Sequence, residues 1–157
     1  MTGREIPEPN RVGFAGTHLG MTDRQARAVA HAVHCLKPDV VHHGDCLGAD
    51  AQFDTIAVAK HIRRVAHPCH LRGRPEAKYR AFCQAEQAHQ PRPPLARNRE
   101  IVARCRVMIV APSGPEASLP RSGTWAACRC ARAAGRRIMI VWPDGTVNEE
   151  PGKGNEQ

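Results

Sequence analysis

The sequence predicts an α/β protein, a doubly wound and mainly parallel sheet of five or slightly more strands with helices on both faces. Three observations carry that expectation. Short runs that are apolar throughout alternate with segments of helical character, as strands buried on both faces of a parallel sheet do. Three junctions pass from a strand through a turn of glycines and small polar residues into a helix. The 157 residues suffice for one domain, which at this size buries about two thirds of its unfolded surface.

The elements follow in order. Residues 1–10, rich in Pro, Asn and Glu, are expected as a flexible tail. Arg11-Val-Gly-Phe-Ala-Gly-Thr17 reads as the first strand, ending in Gly16 and Thr17, with a helix over about Thr22 to Leu36. Thr22 and Gln25 have the spacing of a capping box, which fixes that helix start. Asp39 to Asp50 is a second apolar strand that runs into Gly44, Asp45 and further glycine before a helix over Ala51 to Ile62. Arg64 to Pro68 is the third strand. The polar, proline-rich passage from Cys69 to Pro94 contains an expected helix at Pro75 to Ala88, and its length suits a lid or a mobile loop. Asn98 to Cys105 reads as a short helix that Asn98 caps, Val107 to Ala111 as the fourth strand, and Arg137 to Pro143 as the fifth. The single domain then spans 11–144, and 145–157 is expected as a second flexible tail.

The chemistry gathers at the turns. In Pro120-Arg-Ser-Gly-Thr-Trp125, which leads into an alanine-rich helix, the first backbone N–H groups of the helix are free and the dipole favours negative charge. Gly123 permits close approach of a ligand to the backbone, and Ser122 and Thr124 offer hydroxyls to a phosphate or to the helix start. All three turns fall on the carboxyl edge of the sheet, where such folds bind ligands at the topological switch point. Arg97 is the first choice for a phosphate partner, with a structural salt bridge as its alternative. Asn98 can bond a base or ribose, or cap its helix. Asp45 and Asp50 are the candidate catalytic carboxylates, for ribose hydroxyls or a general-base water, with capping of the second helix as the alternative. His18, beside the first glycine turn, can donate to phosphate or act as acid or base near neutral pH.

Composition narrows the function classes. The formal charge is +8, but 19 of the 23 basic residues are arginine and they are scattered. Aromatic residues make up 4 % of the chain, few for the stacking platforms of single-strand binders, so nucleic acid is not the expected partner, and the charge fits an anionic small ligand equally well. No apolar run is long enough to span a membrane and no leader pattern opens the chain, so a cytoplasmic protein is expected. The seven cysteines are read as reduced thiols. No metal is expected. His42, His43, Asp45, Cys46, Cys69 and His70 are the obvious ligands, yet His42 and His43 point to opposite faces of a strand and no CxxC pair exists.

Gly44-Asp-Cys-Leu-Gly-Ala-Asp50, Pro94-Leu-Ala-Arg-Asn-Arg-Glu-Ile-Val102, Ser122-Gly-Thr-Trp-Ala126 and Ala131-Arg-Ala-Ala-Gly-Arg-Arg-Ile138 together resemble the SLOG superfamily, named for the DNA-processing Smf/DprA proteins and the Lonely Guy enzymes. The likeness covers about Arg11 to Asp144. It implies a Rossmann-like sheet that binds a nucleotide or nucleotide-derived molecule at its carboxyl edge, through Gly16, Thr17, His18, Gly44, Asp45, Arg97, Asn98, Ser122, Gly123 and Thr124. No cofactor beyond such a ligand is expected, and a homodimer is compatible with the resemblance. Lonely Guy enzymes cleave nucleoside monophosphates with a glutamate three residues after the threonine; here Ala127 stands there, and Arg121 and Ser122 replace that family's first glycine pair. DprA proteins carry an arginine in the first glycine loop where this chain has His18. The reading is therefore a small-ligand binder, a sensor for example. An N-glycosidic hydrolase or transferase and a DprA-like DNA module are the alternatives.

Overall fold

A computed structural model of the chain describes residues 3 and 6–153. Residues 1, 2, 4 and 5 of the first expected tail and 154–157 of the second lie outside the described residues.

One sheet of seven strands carries the architecture: β1 (Arg11–Gly16), β2 (Val40–His43), β3 (Arg63–Ala66), β4 (Gln87–Ala88), β5 (Val107–Ala111), β6 (Arg137–Val141) and β7 (Val147–Glu150). Their spatial order is β4-β3-β2-β1-β5-β6-β7. All neighbours are parallel except β6 and β7, which pair antiparallel from Ile138 with Glu150 to Val141 with Val147. This is the doubly wound α/β Rossmann-like fold that the apolar runs predict. Two strands exceed the five read from sequence. β4 has only two residues, and β7 reads Val-Asn-Glu-Glu, with no apolar stripe to announce it.

Over Val147–Glu150, β7 stands where the sequence reading expects a flexible tail. A turn closed by Gly145 N–H to the Trp142 carbonyl (2.8 Å) returns the chain along β6. Arg132 then holds the Glu150 carboxylate by two bonds of 2.8 and 2.7 Å. At the other end Asn10 is tied too, its side chain donating to the Leu36 and Lys37 carbonyls.

The two faces of the sheet are filled by alternate residues of the same strands. Val107, Ile109 and Ala111 of β5 pack with Val12 and Phe14 against helices α1 (Asp23–Leu36) and α2 (Ala49–Ala59), where Val29, Val33 and Phe53 are buried. Met108 and Val110 point the other way, into Ile101 and Val102 of α3 (Pro94–Arg104) and Trp125 and Cys128 of α4 (Gly123–Ala133). Phe14 and Phe53 stack at 4.3 Å between centroids, and full burial of such a ring stabilises the fold by roughly 2–3 kcal/mol.

The α1 capping box forms as its spacing predicts: Gln25 N–H donates to Thr22 Oγ1 (3.0 Å) and Thr22 N–H to Gln25 Oε1 (3.3 Å). The same Gln25 donates through Nε2 to the Pro112 and Val141 carbonyls, tying together the ends of β5 and β6. Other boundaries move. No helix forms at Pro75 to Ala88, where the chain makes a single 3-10 turn at Glu76–Lys78 and then β4. Phe82 is left-handed at φ 56°, and Asp45 takes the Ala81 N–H on its carbonyl and the Cys83 N–H on its carboxylate, so these residues are bonded across the fold and not along a helix. Helix α3 begins at Pro94, four residues before Asn98, because Pro93 and Pro94 fix the dihedrals of its first turn. Asn98 is thus inside the helix and caps nothing. Helix α2 starts at Ala49 after Gly48, whose φ of 91° only glycine adopts freely and whose missing Cβ leaves room for the His18 carbonyl.

Candidate functional site

The chain leaves β1 toward β2 on one side of the sheet and β5 toward β6 on the other, so the switch point lies between the carboxyl ends of β1 and β5. A cleft of about 880 Å³ opens there. Its walls are the ends of β1 and β2 with their loops, the start of α3, and the turn before α4. Gly16, Thr17, His18, Gly44, Asp50, Arg97, Asn98, Ser122, Gly123 and Thr124 all line it. Of the residues read from sequence as site residues, Asp45 alone does not.

At the α4 wall Ser122 acts as a cap, its Oγ accepting from Trp125 N–H at 3.3 Å. The backbone N–H groups of Gly123 and Thr124 have no hydrogen-bond partner among the described residues. A Cβ placed on Gly123 would meet nothing within 4 Å, so the backbone is bare on that side, and both residues line the cleft. The preceding loop is fixed by Trp125 Nε1, which donates to the Gly114 carbonyl at 3.0 Å. Two N–H groups at a helix start, facing an open cleft, suit an anion. The other two helix starts also leave N–H groups without a partner among the described residues, Asp23 and Arg24 beside the Thr22 cap of α1 and Asp50 and Ala51 in α2; what sets α4 apart is that both of its free donors, Gly123 and Thr124, belong to the cleft lining.

Arg97 reaches the floor of the cleft from the first turn of α3. Its Nη1 donates to the Gly44 carbonyl (3.0 Å) and the His67 carbonyl (3.2 Å), and its Nε to Asn98 Oδ1 (2.9 Å). Its Nη2 has no partner among the described residues. The arginine expected as a free phosphate clamp is therefore first a structural tie between α3 and the ends of β2 and β3, with one nitrogen left for a ligand. Burial works against its charge, and the neighbouring Cys46 and Asp50 outweigh that and hold its pKa above the ordinary value. Gly44 makes the approach feasible, since a Cβ there would collide with Arg97 Nη1 and lie 2.9 Å from Asp50 Oδ2.

The two candidate carboxylates part company. Asp45, in left-handed conformation at φ 55°, is buried and turned away from the cleft. Its Oδ1 accepts from Cys83 N–H and its Oδ2 from Arg80 Nε, both at 2.8 Å. With both oxygens occupied it anchors the 69–94 passage, and the expectation that it holds ribose or a general-base water is corrected. Asp50, in the first turn of α2, does not cap that helix. Its Oδ2 accepts from Cys46 N–H at 3.1 Å, while Oδ1 is buried without a partner. Burial, with the Cys46 sulfur as second cause, raises its pKa to about 7. At neutral pH it is a half-protonated carboxyl in the cleft wall, able to donate or accept a hydrogen bond.

Of the six residues that a metal would most obviously draw on, the two adjacent histidines go to opposite faces and Cys46 meets Cys69. His42 bonds His67 on one face of the sheet and His43 bonds Asp54 on the other, as alternation along a strand requires. His70 is exposed. Cys46 and Cys69 both line the cleft, and the Cys69 thiol is lowered to about 6, chiefly by its hydrogen bond with Cys46. Their pairing had no spacing signal in the sequence. Nor did the placing of Arg74, Lys78 and Tyr79, from the 69–94 passage, in the cleft lining.

Fold and cleft together define a doubly wound, Rossmann-like α/β protein with a ligand-sized cavity at its switch point. Among solved structures, the chain is similar to DNA processing protein A (DprA) from Streptococcus pneumoniae, with a TM-score of 0.58 and 19% identity over 83% of this chain and 50% of that one. It spans half the length of that DprA chain. It is similar also to the molybdenum cofactor binding protein from the phototrophic bacterium Rippkaea orientalis, with a TM-score of 0.63 and 14% identity over 86% of this chain and 77% of that one. The structural genomics target TM1055 matches with a TM-score of 0.55 and 15% identity, over 82% of this chain and 72% of that one. No protein-family model matches the chain, and no curated protein matches it by sequence. Among the described residues, no helix is long and apolar enough to cross a membrane.

Proposed function

We propose that the protein binds a nucleotide or nucleotide-derived small molecule in the cleft between the ends of β1 and β5. The observation that carries this reading is the pair of unpartnered N–H groups at Gly123 and Thr124, open to the cleft. A phosphate there accepts from both and from Arg97 Nη2, while the apolar wall of Leu19, Leu71 and Tyr79 suits a base. That one neighbour in fold is a molybdenum cofactor binding protein supports a small-molecule ligand for this type of sheet. All seven cysteines are thiols, in keeping with a cytoplasmic protein. Calorimetry with nucleoside monophosphates, beside mass spectrometry of molecules that copurify with the protein, tests the proposal and names the ligand. A folded Gly123→Asp variant that binds as well as the parent removes this turn from the site.

The second reading, hydrolysis or transfer at an N-glycosidic bond, is favoured by Asp50 alone, the one carboxylate residue of the cleft lining; its Oδ1 has no partner but is buried, so a ligand meets it only after the wall gives way. Ala127 lines the cleft where a Lonely Guy enzyme has its glutamate and supplies no charge. Incubation with nucleoside monophosphates is expected to release no free base above background. Release at an enzyme-like rate that disappears in Asp50→Asn would establish the second reading.

A further inference from the structure

On the α3 face of the sheet, below the cleft, His67, His89 and Glu100 bring one ligand atom each to a common point, the three atoms lying within 4.8 Å of one another. His89 Nδ1 is 2.8 Å and His67 Nδ1 3.5 Å from the same oxygen, Glu100 Oε1. The residues come from three separate elements: His67 follows β3, His89 follows β4, and Glu100 lies on α3. We propose that this triad is a binding site for a borderline divalent transition metal such as Zn²⁺, which fastens the 69–94 passage to the sheet.

A carboxylate beside histidines is by itself an ion pair, and the second observation separates a site from that. His67 Nδ1 is fully buried and has no hydrogen-bond partner. Its other nitrogen, Nε2, meets His42 Nδ1 at 2.7 Å. When that contact carries the proton on His67 Nε2, the lone pair of Nδ1 faces the carboxylate, and His42 serves as the outer partner that orients a metal-bound imidazole. Glu100 has a similar support, since Arg92 Nε holds Oε2 at 3.0 Å and leaves Oε1 to the histidines. Tetrahedral ligand atoms about 2.0–2.1 Å from zinc lie roughly 3.3 Å apart. The 3.5 Å pair is close to this spacing, but the His67 and His89 rings are stacked, 4.4 Å apart at 13°, so the more exposed His89 turns out of the stack, and off its 2.8 Å contact, to aim its Nδ1 lone pair at the same ion. Arg104 stands 3.7 Å from Oε1, but it is half exposed and free to swing into solvent. Water completes the coordination.

The position gives the metal something to do. β4 pairs with β3 at two positions only, Val65 with Gln87 and Ala66 with Ala88. The long passage between β3 and α3 thus returns to the sheet through a weak joint, and a metal bond between His89, His67 and Glu100 closes it. Because His67 also accepts from Arg97 through its carbonyl, the same joint steadies the floor of the cleft.

The test uses the full chain with Zn²⁺ and Co²⁺ themselves as probes. One Zn²⁺ per chain is expected by calorimetry, with a rise in Tm. Co²⁺ is expected to give a visible spectrum of nitrogen and oxygen coordination without the strong thiolate band. His89→Ala and the nearly isosteric Glu100→Gln are each expected to weaken Zn²⁺ binding at least about tenfold. Cys83→Ser, which removes a ligand from the separate His43, Asp54, Cys83 group, leaves it unchanged. Absence of saturable binding, a thiolate band in the cobalt spectrum, or equal affinity in Glu100→Gln would each overturn the proposal. Should His89→Ala fail to fold, the cobalt spectrum and Glu100→Gln decide alone.

Discussion

Replacing Asp50 by asparagine should make the protein more stable above neutral pH and nearly as stable as the parent in mild acid. Asp50 is 5 % exposed, its Oδ1 lacks a partner, and its pKa rises from 3.8 to about 7, first through burial and then through the Cys46 sulfur. A shift of about three units at roughly 1.4 kcal/mol each sets a ceiling of about 4 kcal/mol. The Cys46 thiol is itself pushed far up by its hydrogen bond with Cys69 and by burial, so it stays neutral and its repulsion is absent at neutral pH. Burial opposed by Arg97 remains, and we expect about 2–4 kcal/mol. The sign follows from proton counting. Between about pH 4 and 7 the native state holds a proton on Asp50 that the unfolded chain has lost, so stability falls as pH rises through that window and stays low above it. The asparagine side chain does not titrate, and its Oδ1 can still accept from Cys46 N–H. Urea denaturation of both proteins in steps from about pH 4 to 8 measures the difference, in which all other titrations cancel. A difference constant within about 0.5 kcal/mol over that range would refute the reasoning, because an ionised Asp50 in water behaves in that way.

The open space at Gly123 makes Gly123→Asp neutral or stabilising by about 0.3–1 kcal/mol, since a carboxylate in the first turn complements the helix dipole. The same substitution should abolish nucleotide binding by calorimetry. Arg97→Ala leaves the Gly44 and His67 carbonyls without their donor and should cost roughly 2–4 kcal/mol in urea denaturation; a cost below about 1 kcal/mol would mean that water replaces it. Glu150→Ala breaks the two bonds from Arg132 at the rim of β7, but both side chains are about a third exposed. We expect only about 0.5–1 kcal/mol, shrinking with added salt. Titration of labelled single-stranded DNA at about 150 mM salt should show nothing tighter than the non-specific range of about 10⁻⁴–10⁻⁶ M, and length-dependent submicromolar affinity would favour the DNA module instead.

What the sequence discloses depends on how locally each feature is encoded. The five strands with apolar runs and the α1 cap are legible because apolar continuity and a Thr-Gln spacing are properties of nearby residues. β4 and β7 are not, for they are polar edge strands whose place comes from partners, Val65 and Ala66 for one and the β6 backbone for the other. The cleft-lining turns are readable for the same reason as the strands, since each lies between a strand and the helix that follows it in the chain. The separation of Asp45 from Asp50 was not readable, because it rests on Arg80 and Cys83, more than thirty residues downstream. A left-handed Asp45 turns its carboxylate toward that passage, and no local pattern announces it.

The cleft is chemically asymmetric, and this limits how any ligand lies in it. The α4 wall offers donors: the N–H groups of Gly123 and Thr124. Asp50 also lines the cleft, next to Arg97, which hydrogen bonds to Gly44, His67 and Asn98 hold in place with Nη2 left for the anion. A ligand with one anionic end and one hydroxyl-bearing end then has a single favourable orientation, anion to α4 and hydroxyls to Asp50. Inversion would face the anion with a carboxyl that ionises near neutral pH, at a repulsion that grows as the proton leaves. Binding through this cleft should therefore tighten as pH falls through about 7 wherever a ligand group accepts the Asp50 proton, and should lose that dependence in Asp50→Asn.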